Sequence, residues 1–468
     1  MSLKIFNTLS RAKEEFKPLV PGKVNMYVCG PTVYDYIHIG NARPLIFFDV
    51  VRRYLQAIGY DVTYVVNFTD VDDKLIRKSE QTGMSVPDLA EKFIAAFYED
   101  IDALGVGRAD IHPRVTENMT EIIEFIQGLE AKGFAYENGG DVYFRTAKFA
   151  EYGKLSHQNL EELQFGIRIH VDERKENPQD FVLWKAAKPG EIYWSSPWGD
   201  GRPGWHIECS AMAGKYLGTT LDIHGGGHDL QFPHHECEVA QSEALHGKPL
   251  ANYWMHNGHI HINDEIMSKS RGNGIKVNEL LKTMKPEVLR FFMLSTHYRN
   301  PINFSDEAVT QAENGLERVK NSFSNLIYRL DACAGQSTSA RDEAAELAAA
   351  AATELFQAKM NDDFNTPDAI TAVFDLVSAT NQYLQRQDVS VDTLDLLSQA
   401  FRELNRVLGI LVEEQPDLLD TDIEQLIKER TEARQNKQWA RADEIRDLLT
   451  EKGIVLEDTP QGIRWRRK

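Results

Sequence analysis

Apolar and polar positions in the first part of the chain show two kinds of spacing, and this pattern predicts a strand, a helix and a second strand. Residues 24–29 (VNMYVC) are a short apolar run, and residues 61–68 (DVTYVVNF) are rich in β-branched and aromatic side chains. Between them, apolar residues recur at helical spacing, with Pro44 expected in the first turn: Leu45, Phe48, Val51, Leu55 and Ile58. This unit predicts a parallel sheet that binds its ligand at the carboxyl ends of the strands.

The alternation of strands and helices is interrupted over residues 115–202. These residues are rich in glycine, tryptophan and mixed charge, so we expect an insertion there. The sheet should resume at residues 221–227 (LDIHGGG), an apolar strand whose glycines let a ligand approach the backbone. After about residue 303 the pattern is helical throughout, and the alanine-rich stretch DEAAELAAAAATELF predicts a packed helix. Residues 417–423 (DLLDTDI) predict a linker into the C-terminal end.

Three aspartates follow the second predicted strand, in the stretch TDVDD at residues 69–73. Three carboxylates can bind a metal ion. However, a helix is expected to begin near Lys74, and aspartate is a preferred residue for capping a helix N-terminus. We therefore expect these aspartates to cap the helix rather than to bind metal.

Length and composition describe a globular chain of several domains. It has 468 residues, of which 42% are hydrophobic and 26% charged. No run of about 18 apolar residues predicts a membrane span, and the N-terminus becomes charged too early for a secretory signal. Four cysteines in a chain of this length predict no disulfide framework. A reducing cytoplasm, with metal-binding or catalytic thiols, is expected instead.

The charge distribution is uneven. A formal net charge of −19 argues against a protein that coats nucleic acid. Yet residues 426–468 hold eleven Lys and Arg against eight Asp and Glu, and the chain ends in RWRRK. A basic, aromatic end of this kind suits phosphate contact and base stacking, and a solvated terminus is the equal alternative.

The stretch FPHHECE, residues 232–238, raises the question of a metal site. The zinc protease pattern H-E-x-x-H is broken, because Val239 stands where the second histidine is required. If a helix begins at His234, that residue lies on one face with both Glu238 and Cys237, at spacings of four and three. Cys29 and Cys209 are further candidate zinc ligands, although a buried cysteine is more often a small apolar residue.

Several stretches together resemble the cysteinyl-tRNA synthetases, which are class I aminoacyl-tRNA synthetases. The resemblance runs nearly end to end and rests on the following stretches: YVCGPTVYDYIHIGNARP, NFTDVDDKLI, GRPGWHIECSAM, FPHHECE, IMSKS with RGN after it, RFFMLSTHYRNPINFS and DTPQGIRW. It implies that one Zn²⁺ ion per chain binds the thiolate of substrate cysteine. The zinc ligands implied by it are Cys29, Cys209, His234 and Glu238.

Zinc is a sensible discriminator between cysteine and serine. The thiol of free cysteine has a pKa of about 8.5, and zinc deprotonates a coordinating thiol outright. The serine hydroxyl releases its proton far less readily and is a harder donor. A site whose specific partner is left unsatisfied rejects an analogue by about 10⁴-fold or more.

The resemblance also implies a site for ATP, which is used with Mg²⁺. His38 and Asn41, in HIGN at the turn into the first helix, would stabilise the α-phosphate with free backbone N–H groups nearby. Lys269, in IMSKS, would neutralise the β- and γ-phosphates, although Ile266 replaces the first lysine of the family's KMSKS motif. The full set implied for catalysis and ATP binding is Gly30, Thr32, His38, Gly40, Asn41, Gly227, Asp229 and Lys269.

The substrate pocket implied by the resemblance contains Trp205 as its aromatic wall, together with His224 and Thr69. Taken alone, each motif has a plainer interpretation: HIG as an ordinary turn, IMSKS as an exposed loop, and Trp205 as a core residue. For the C-terminal end, Trp439, Arg464 and Trp465 are candidate base contacts.

The resulting prediction is an α/β protein that activates L-cysteine with ATP and transfers it to tRNA(Cys). We expect a cytoplasmic monomer without a membrane partner. Residues 1–310 should form a Rossmann-like parallel-sheet catalytic domain, with the insertion at about 115–202 and a connecting segment at about 250–310. An α-helical bundle at 311–414 and a small C-terminal anticodon-binding domain at 415–468 should follow.

Three other functions compete with this prediction. A related ligase joins cysteine to an amino-sugar thiol precursor, and the C-terminal residues 426–468 argue against it. A non-catalytic tRNA-binding relative is favoured only by Ile266. A zinc hydrolase is disfavoured by the broken H-E-x-x-H pattern.

Overall fold

The computed structural model describes residues 2–158, 174–267, 274–333, 340–412, 421–452, 454–459 and 462–467. The chain divides into two compact units. The first comprises Met1–Leu326 with Thr338–Ile410, and the second comprises Ile327–Ser337 with Leu411–Lys468.

The N-terminal part supplies two of the four strands of the parallel sheet and a separate antiparallel pair. Its elements in chain order are β1 (Lys4–Asn7), β2 (Ala12–Glu15), β3 (Lys23–Val28), α1 (Ile39–Ala57), β4 (Asp61–Val66), α2 (Asp73–Thr82), α3 (Val86–Ala103) and α4 (Met119–Ala131). Strands β3 and β4 belong to the parallel sheet, and β1 and β2 form the antiparallel pair. The strand–helix–strand prediction is confirmed by β3, α1 and β4. Pro44 lies beyond the first turn of α1, contrary to expectation, because the helix already begins at Ile39.

Asp72 caps α2 by accepting a hydrogen bond from the Lys74 N–H, as predicted. The other two aspartates do not cap it, because Asp70 accepts hydrogen bonds from Thr116 and Asp73 pairs with Lys185 and Arg202.

The next segment is the predicted insertion, and it forms an antiparallel sheet of its own. Its strands are β5 (Ala135–Asn138), β6 (Asp141–Phe144), β7 (Phe181–Ala186), β8 (Trp194–Ser196) and β9 (Gly199–Pro203), in the order β5-β6-β7-β9-β8. The chain then returns to the parallel sheet through α5 (Trp205–Leu217), β10 (Leu221–Gly227), α6 (Glu236–His246) and β11 (Ala251–Asn257).

The parallel sheet has the order β11-β10-β3-β4. Ile223 of β10 pairs with Met26 of β3, and Val28 of β3 pairs with Val66 of β4. Because all four strands run the same way, their carboxyl ends meet at one edge. Buried apolar side chains pack behind that edge, among them Tyr27.

The remaining elements of the first unit follow. They are β12 (Ile260–Ile262), β13 (Glu265–Ile266), α7 (Val277–Leu280), α8 (Pro286–Leu294), β14 (Ile302–Phe304), α9 (Asp306–Ala332), α10 (Glu343–Met360), α11 (Thr366–Leu384) and α12 (Val391–Leu408), with the end of α9 falling in the second unit. The alanine-rich stretch lies in α10, where Ala345, Ala349 and Ala352 are buried, so the packed helix is confirmed.

The second unit contains α13 (Thr421–Gln435), α14 (Trp439–Glu451) and an antiparallel hairpin of β15 (Ile454–Thr459) and β16 (Gly462–Arg467). The expectation of an all-helical C-terminal part is therefore wrong. Charged residues on both strands of the hairpin obscure the alternation of apolar and polar positions from which a strand is predicted. The predicted linker at 417–423 lies partly outside the described residues, and its last three residues begin α13. Within the described part of the chain, no helix has the length and apolar character needed to cross a membrane.

Candidate active site and metal cluster

Four side chains that are far apart in sequence converge at the carboxyl edge of the parallel sheet. Cys29 directly follows β3, Cys209 lies in the second turn of α5, and His234 and Glu238 flank the start of α6. One donor atom from each lies within 4.8 Å of all the others. The structure thus brings together the four residues that the resemblance implied as zinc ligands.

The distances within this cluster are short. The Cys29 Sγ lies 3.6 Å from Cys209 Sγ and 3.3 Å from Glu238 Oε1. His234 Nε2 lies 3.1 Å from the same Glu238 oxygen. Cys209, His234 and Glu238 are buried, whereas Cys29 is partly exposed. Cys29 therefore lies on the side of the cluster that solvent reaches.

The local fold at His234 differs from the expected uninterrupted helix. Residues Gln231–His235 form a π-type turn in which Phe232 has extended φ and ψ, and α6 begins only at Glu236. The spacing of four still places His234 beside Glu238, because the backbone from Pro233 onward turns into the helix. Periodicity had left both Glu238 and Cys237 as neighbours of His234, and the structure places Glu238 beside it.

The cluster stabilises charge by mutual contact. Accepting a hydrogen bond from Cys29 lowers the pKa of the Cys209 thiol to about 6, although burial opposes this. Burial would lower the pKa of His234, but the negative charge of Glu238 and the hydrogen bonds that the protonated ring donates to Cys209 and Glu238 raise it to about 10. The ring of His234 is therefore protonated and carries a positive charge among the negatively charged side chains of the cluster. A bound metal ion would replace this positive charge.

A second, overlapping group of donors was missed by the sequence analysis. Cys29, His224, His235 and Glu238 also lie within 4.8 Å of one another. His224 Nε2 lies 2.9 Å from Glu238 Oε2, and His235 Nδ1 lies 2.8 Å from His256 Nε2. The only sequence signal for His235 was its place beside His234 in FPHHECE.

Cys237 belongs to neither group. Its sulfur lies 3.3 Å from the hydroxyl of Tyr152, in the insertion. The neighbouring carboxylate of Glu236 accepts hydrogen bonds from the backbone N–H groups of Gly153 and Ser156, at 2.8 and 2.7 Å. Cys237 and Glu236 of α6 therefore contact residues of the insertion, whereas Glu238 contacts Cys29 and His234.

The HIGN turn is closed by a reciprocal cap. The His38 N–H donates to Asn41 Oδ1, and the Asn41 N–H donates to His38 Nδ1, both at 3.2 Å. The Ile39 N–H donates to the carbonyl of Ile275. Three backbone N–H groups at the turn where free donors for phosphate were expected thus already have protein partners. Because His38 Nδ1 accepts a hydrogen bond, its Nε2 carries the hydrogen of the neutral ring, and burial lowers the pKa of His38 even though Asp229 raises it.

The glycines implied for ATP binding lie where backbone or ligand must approach closely. A side chain at Gly30 would collide with the carbonyl oxygen of Asn67, and one at Gly40 with the methyl group of Met267. One at Gly227 would collide with Asp229. Gly30 therefore requires glycine for steric reasons, whereas the atoms opposite Gly40 and Gly227 are the ends of flexible side chains.

Thr32 and Thr69 form a parallel bridge beyond the ends of β3 and β4. The Thr69 hydroxyl donates a 2.8 Å hydrogen bond to the buried carboxylate of Glu208. Trp205, at the start of α5, stacks on His234 with ring centroids 4.3 Å apart and remains 40% exposed. His224 is fully buried and stacks on Trp254 at 4.5 Å.

A cavity of about 230 Å³ opens beside Trp205. One wall comes from the start of α2 and the other from the insertion, through Phe181, Val182 and Arg202. Lys269 lies outside the described residues, as do the side chains of Ile266, Arg464 and Trp465. Trp439 is 59% exposed at the start of α14.

Three family models match separate parts of the chain. The family model for the class I (C) tRNA synthetase catalytic domain matches residues 15–314. The DALR domain matches residues 355–412, and the cysteinyl-tRNA ligase anticodon binding domain matches residues 416–466.

Two curated relatives are similar over essentially their whole length. The cysteine–tRNA ligase of Geobacillus thermodenitrificans is 58% identical over 468 residues, which cover 100% of this chain and 99% of the relative. That of Shouchella clausii is 59% identical over 466 residues, covering 99% of each. Among solved structures, Mycobacterium tuberculosis methionyl-tRNA synthetase bound by methionyl-adenylate has a TM-score of 0.61 at 15% identity, covering 84% of this chain and 90% of that one. This last similarity concerns the fold alone.

Proposed function

The chain belongs to the cysteine–tRNA ligases, a family of class I aminoacyl-tRNA synthetases, and on that premise we propose that zinc in this protein selects cysteine through its thiolate. The reaction proposed is formation of cysteinyl-adenylate from L-cysteine and ATP, with Mg²⁺, followed by transfer to the 3′-terminal adenosine of tRNA(Cys). The observation that carries the proposal is the convergence of Cys29, Cys209, His234 and Glu238.

The donor set fits zinc by its chemistry. Two thiolates, an imidazole and a carboxylate are all zinc ligands, with bond lengths of about 2.0–2.3 Å. Four ligands at those lengths around one ion lie about 3–4 Å apart, and the described separations are 3.6, 3.3 and 3.1 Å. When bound, zinc would supply a Lewis acid that binds the substrate sulfur as thiolate and leaves a serine hydroxyl poorly held.

Residues around the cluster would position the amino acid. Trp205 would close the pocket with the ring face that is not stacked on His234. The hydroxyl hydrogen of Thr69 is donated to Glu208, so the oxygen of Thr69 keeps its lone pairs for a donor such as the ammonium group of the substrate. His224 would support this arrangement through Glu238 rather than through direct contact, because its ring is fully buried.

Phosphate chemistry is assigned to the HIGN turn. The reciprocal cap uses only Nδ1 of His38 and the side-chain oxygen of Asn41, so it leaves the Nε2–H of His38 and both amide hydrogens of Asn41 as donors. These donors would stabilise the charge that develops on the α-phosphate as the carboxylate attacks and pyrophosphate leaves. Lys269 would neutralise the β- and γ-phosphates. Asp229 would bind the ribose hydroxyls, and the backbone at Gly30, Thr32, Gly40 and Gly227 would admit the nucleotide.

The proposed domain division remains residues 1–310 for catalysis, 311–414 for the helical bundle and 415–468 for the anticodon. Trp439 supports a role of the last region in base stacking, because a large exposed aromatic ring in a basic segment is suited to it. We also propose that the enzyme works as a cytoplasmic monomer. The amino-sugar ligase is disfavoured by the match of residues 416–466 to an anticodon binding domain.

The decisive experiment measures ATP–pyrophosphate exchange and metal content together. Wild-type protein should hold one zinc per chain, exchange pyrophosphate with cysteine, and discriminate against serine by about 10⁴-fold or more. Cys209→Ser should lose zinc and most of this selectivity. Charging of tRNA(Cys), but not of an amino-sugar acceptor, completes the assignment. Metal-free protein that still selects cysteine would overturn the proposal for zinc.

A further inference from the structure

Residues 37–39 and 275–277 pair as two short antiparallel segments. The Ile39 N–H donates to the Ile275 carbonyl at 2.9 Å, and the Val277 N–H donates to the Ile37 carbonyl at 3.0 Å. His38 and Lys276 therefore stand directly opposite each other between two flanking hydrogen bonds. In such a non-hydrogen-bonded pair, the side chains lie on the same face and at their closest approach. The side chain of Lys276 thus begins beside the imidazole of His38.

The ammonium group of Lys276 is held only loosely. It lies 3.2 Å from Asp35 Oδ1 and 5.4 Å from the ring centroid of Tyr36. The two side chains of the ion pair are 36% and 31% exposed. Exposed ion pairs contribute little to stability and are screened by salt. Releasing Lys276 from Asp35 therefore has a small cost.

We infer that Lys276 is a further ATP-binding residue that leaves Asp35 and binds the phosphates which His38 contacts. The inference rests on the proposed function of the HIGN turn. A triphosphate carries several negative charges, whereas Asp35 carries one. At a comparable distance, the triphosphate therefore attracts the ammonium group of Lys276 more strongly than Asp35 does. The four-carbon stem of lysine allows the change of partner without movement of the backbone pair.

A purely structural role for the Lys276–Asp35 pair predicts a different result. If the pair only fixes the 275–277 segment on the HIGN turn, removing either partner has the same effect. If instead Asp35 competes with phosphate for Lys276, the two substitutions act in opposite directions. The sign of the Asp35 effect therefore separates the two roles.

The test compares Lys276→Ala, Asp35→Asn and the double variant by ATP titrations in cysteine-dependent pyrophosphate exchange. Lys276→Ala should raise KM for ATP about tenfold, as expected for a lost charge-assisted hydrogen bond, with KM for cysteine unchanged. Asp35→Asn should lower KM for ATP by up to about fivefold, and should have no effect when combined with Lys276→Ala. Lys282→Ala, an exposed lysine farther along the same segment, is the matched control.

The inference is overturned if Lys276→Ala leaves KM for ATP within about twofold of wild type, or if both single variants raise it. Calorimetric titration of ATP and Mg²⁺ into the full chain without cysteine separates this inference from the proposed function. Wild-type protein that binds ATP but shows no cysteine-dependent exchange would refute the proposed function. In that case, weaker ATP binding by Lys276→Ala would still support the phosphate role, and unchanged binding would refute it.

Discussion

The thiol of Cys237 lies against the hydroxyl of Tyr152, 3.3 Å away, although Cys237 stands between His234 and Glu238, two of the candidate zinc ligands. One residue later, Glu238 contacts Cys29 and His234. A helix turns about 100° per residue, and this rotation sends the two side chains to different neighbours. The choice between Cys237 and Glu238, which the spacing alone left open, is thus decided by where the insertion packs against α6.

This arrangement predicts that Cys237 and Cys209 respond differently to replacement. Cys237→Ala should retain one zinc per chain and an unchanged KM for cysteine, with unfolding free energy lowered by about 1–3 kcal/mol for the lost packing and polar contact. Cys209→Ala should lose zinc. Metal analysis with urea unfolding provides the measurement. If the single variant Cys237→Ala lost zinc, this would contradict the assignment of Glu238, and not Cys237, as a zinc ligand.

The reciprocal cap at His38 and Asn41 predicts a separation of stability from catalysis. Asn41→Asp keeps an oxygen that accepts from the His38 N–H but loses the amide hydrogens. We expect its stability to stay within about 0.5 kcal/mol of wild type, since the aspartate oxygen keeps the hydrogen bond from the His38 N–H and a carboxylate is favourable in the first turn of a helix. The rate of pyrophosphate exchange should fall by about 10²-fold or more, because a donor to the phosphate is replaced by a negative charge.

Asn41→Ala is the matched comparison. It removes the side-chain half of the reciprocal cap together with the donor, so it should lose activity and also about 0.5–1.5 kcal/mol of stability. Thermal unfolding and exchange kinetics on both variants make the check. An active Asn41→Asp enzyme would remove Asn41 from the phosphate site.

Local periodicity and topology account for what the sequence predicted well. The spacing of four between His234 and Glu238 survives an irregular turn, and the carboxyl edge of a parallel sheet is where Cys29 had to lie. The contacts of Glu236 with Gly153 and Ser156 link residues about 80 positions apart. Such a buried network depends on how the insertion packs, which leaves no periodic signal in the sequence. The contact between His235 and its partner His256 also leaves no periodic signal in the sequence.

Arg43 provides a third prediction, because its buried guanidinium group joins α1 to two distant segments. It donates to the carbonyl oxygens of Gly258, His259 and Asn300 at 2.7, 2.9 and 2.6 Å. Lysine carries the charge but not the planar fork that reaches several acceptors at once. Arg43→Lys should therefore lower the unfolding free energy by about 2–4 kcal/mol, leaving buried carbonyls unsatisfied.

The same substitution should raise KM for ATP more than KM for cysteine, because residues 258 and 259 lead into the strand before IMSKS. Arg11→Lys, at an exposed position, is the control and should be neutral in both measurements. Equal stability of Arg43→Lys and wild type in urea would show that the fork is not needed.

Asp100, in α3, predicts a pH dependence of stability that is separate from the active site. The residue is 4% exposed, and its Oδ2 is buried without a hydrogen-bond partner among the described residues. Burial, with a smaller contribution from Glu99, raises the pKa of Asp100 to about 6. A raised carboxyl pKa favours the protonated form in the folded state, so the contribution of Asp100 to stability is fully present only below the unfolded pKa, about 3.9, and is lost as pH rises through about 6.

Asp100→Asn should therefore stabilise the protein by about 1–3 kcal/mol at pH 7.5, where the buried wild-type carboxylate is ionised. This gain should shrink as the pH falls to 4.5, because the wild-type side chain is then largely protonated in the folded state. Asp102→Asn is the control two residues along the same helix. Asp102 is exposed, and the hydrogen bond from Arg108 lowers its pKa, so the effect of its replacement should be flat over this range. Urea unfolding at the two pH values measures both effects, and a gain from Asp100→Asn that is the same at pH 4.5 and 7.5 would mean that its carboxyl does not titrate between them.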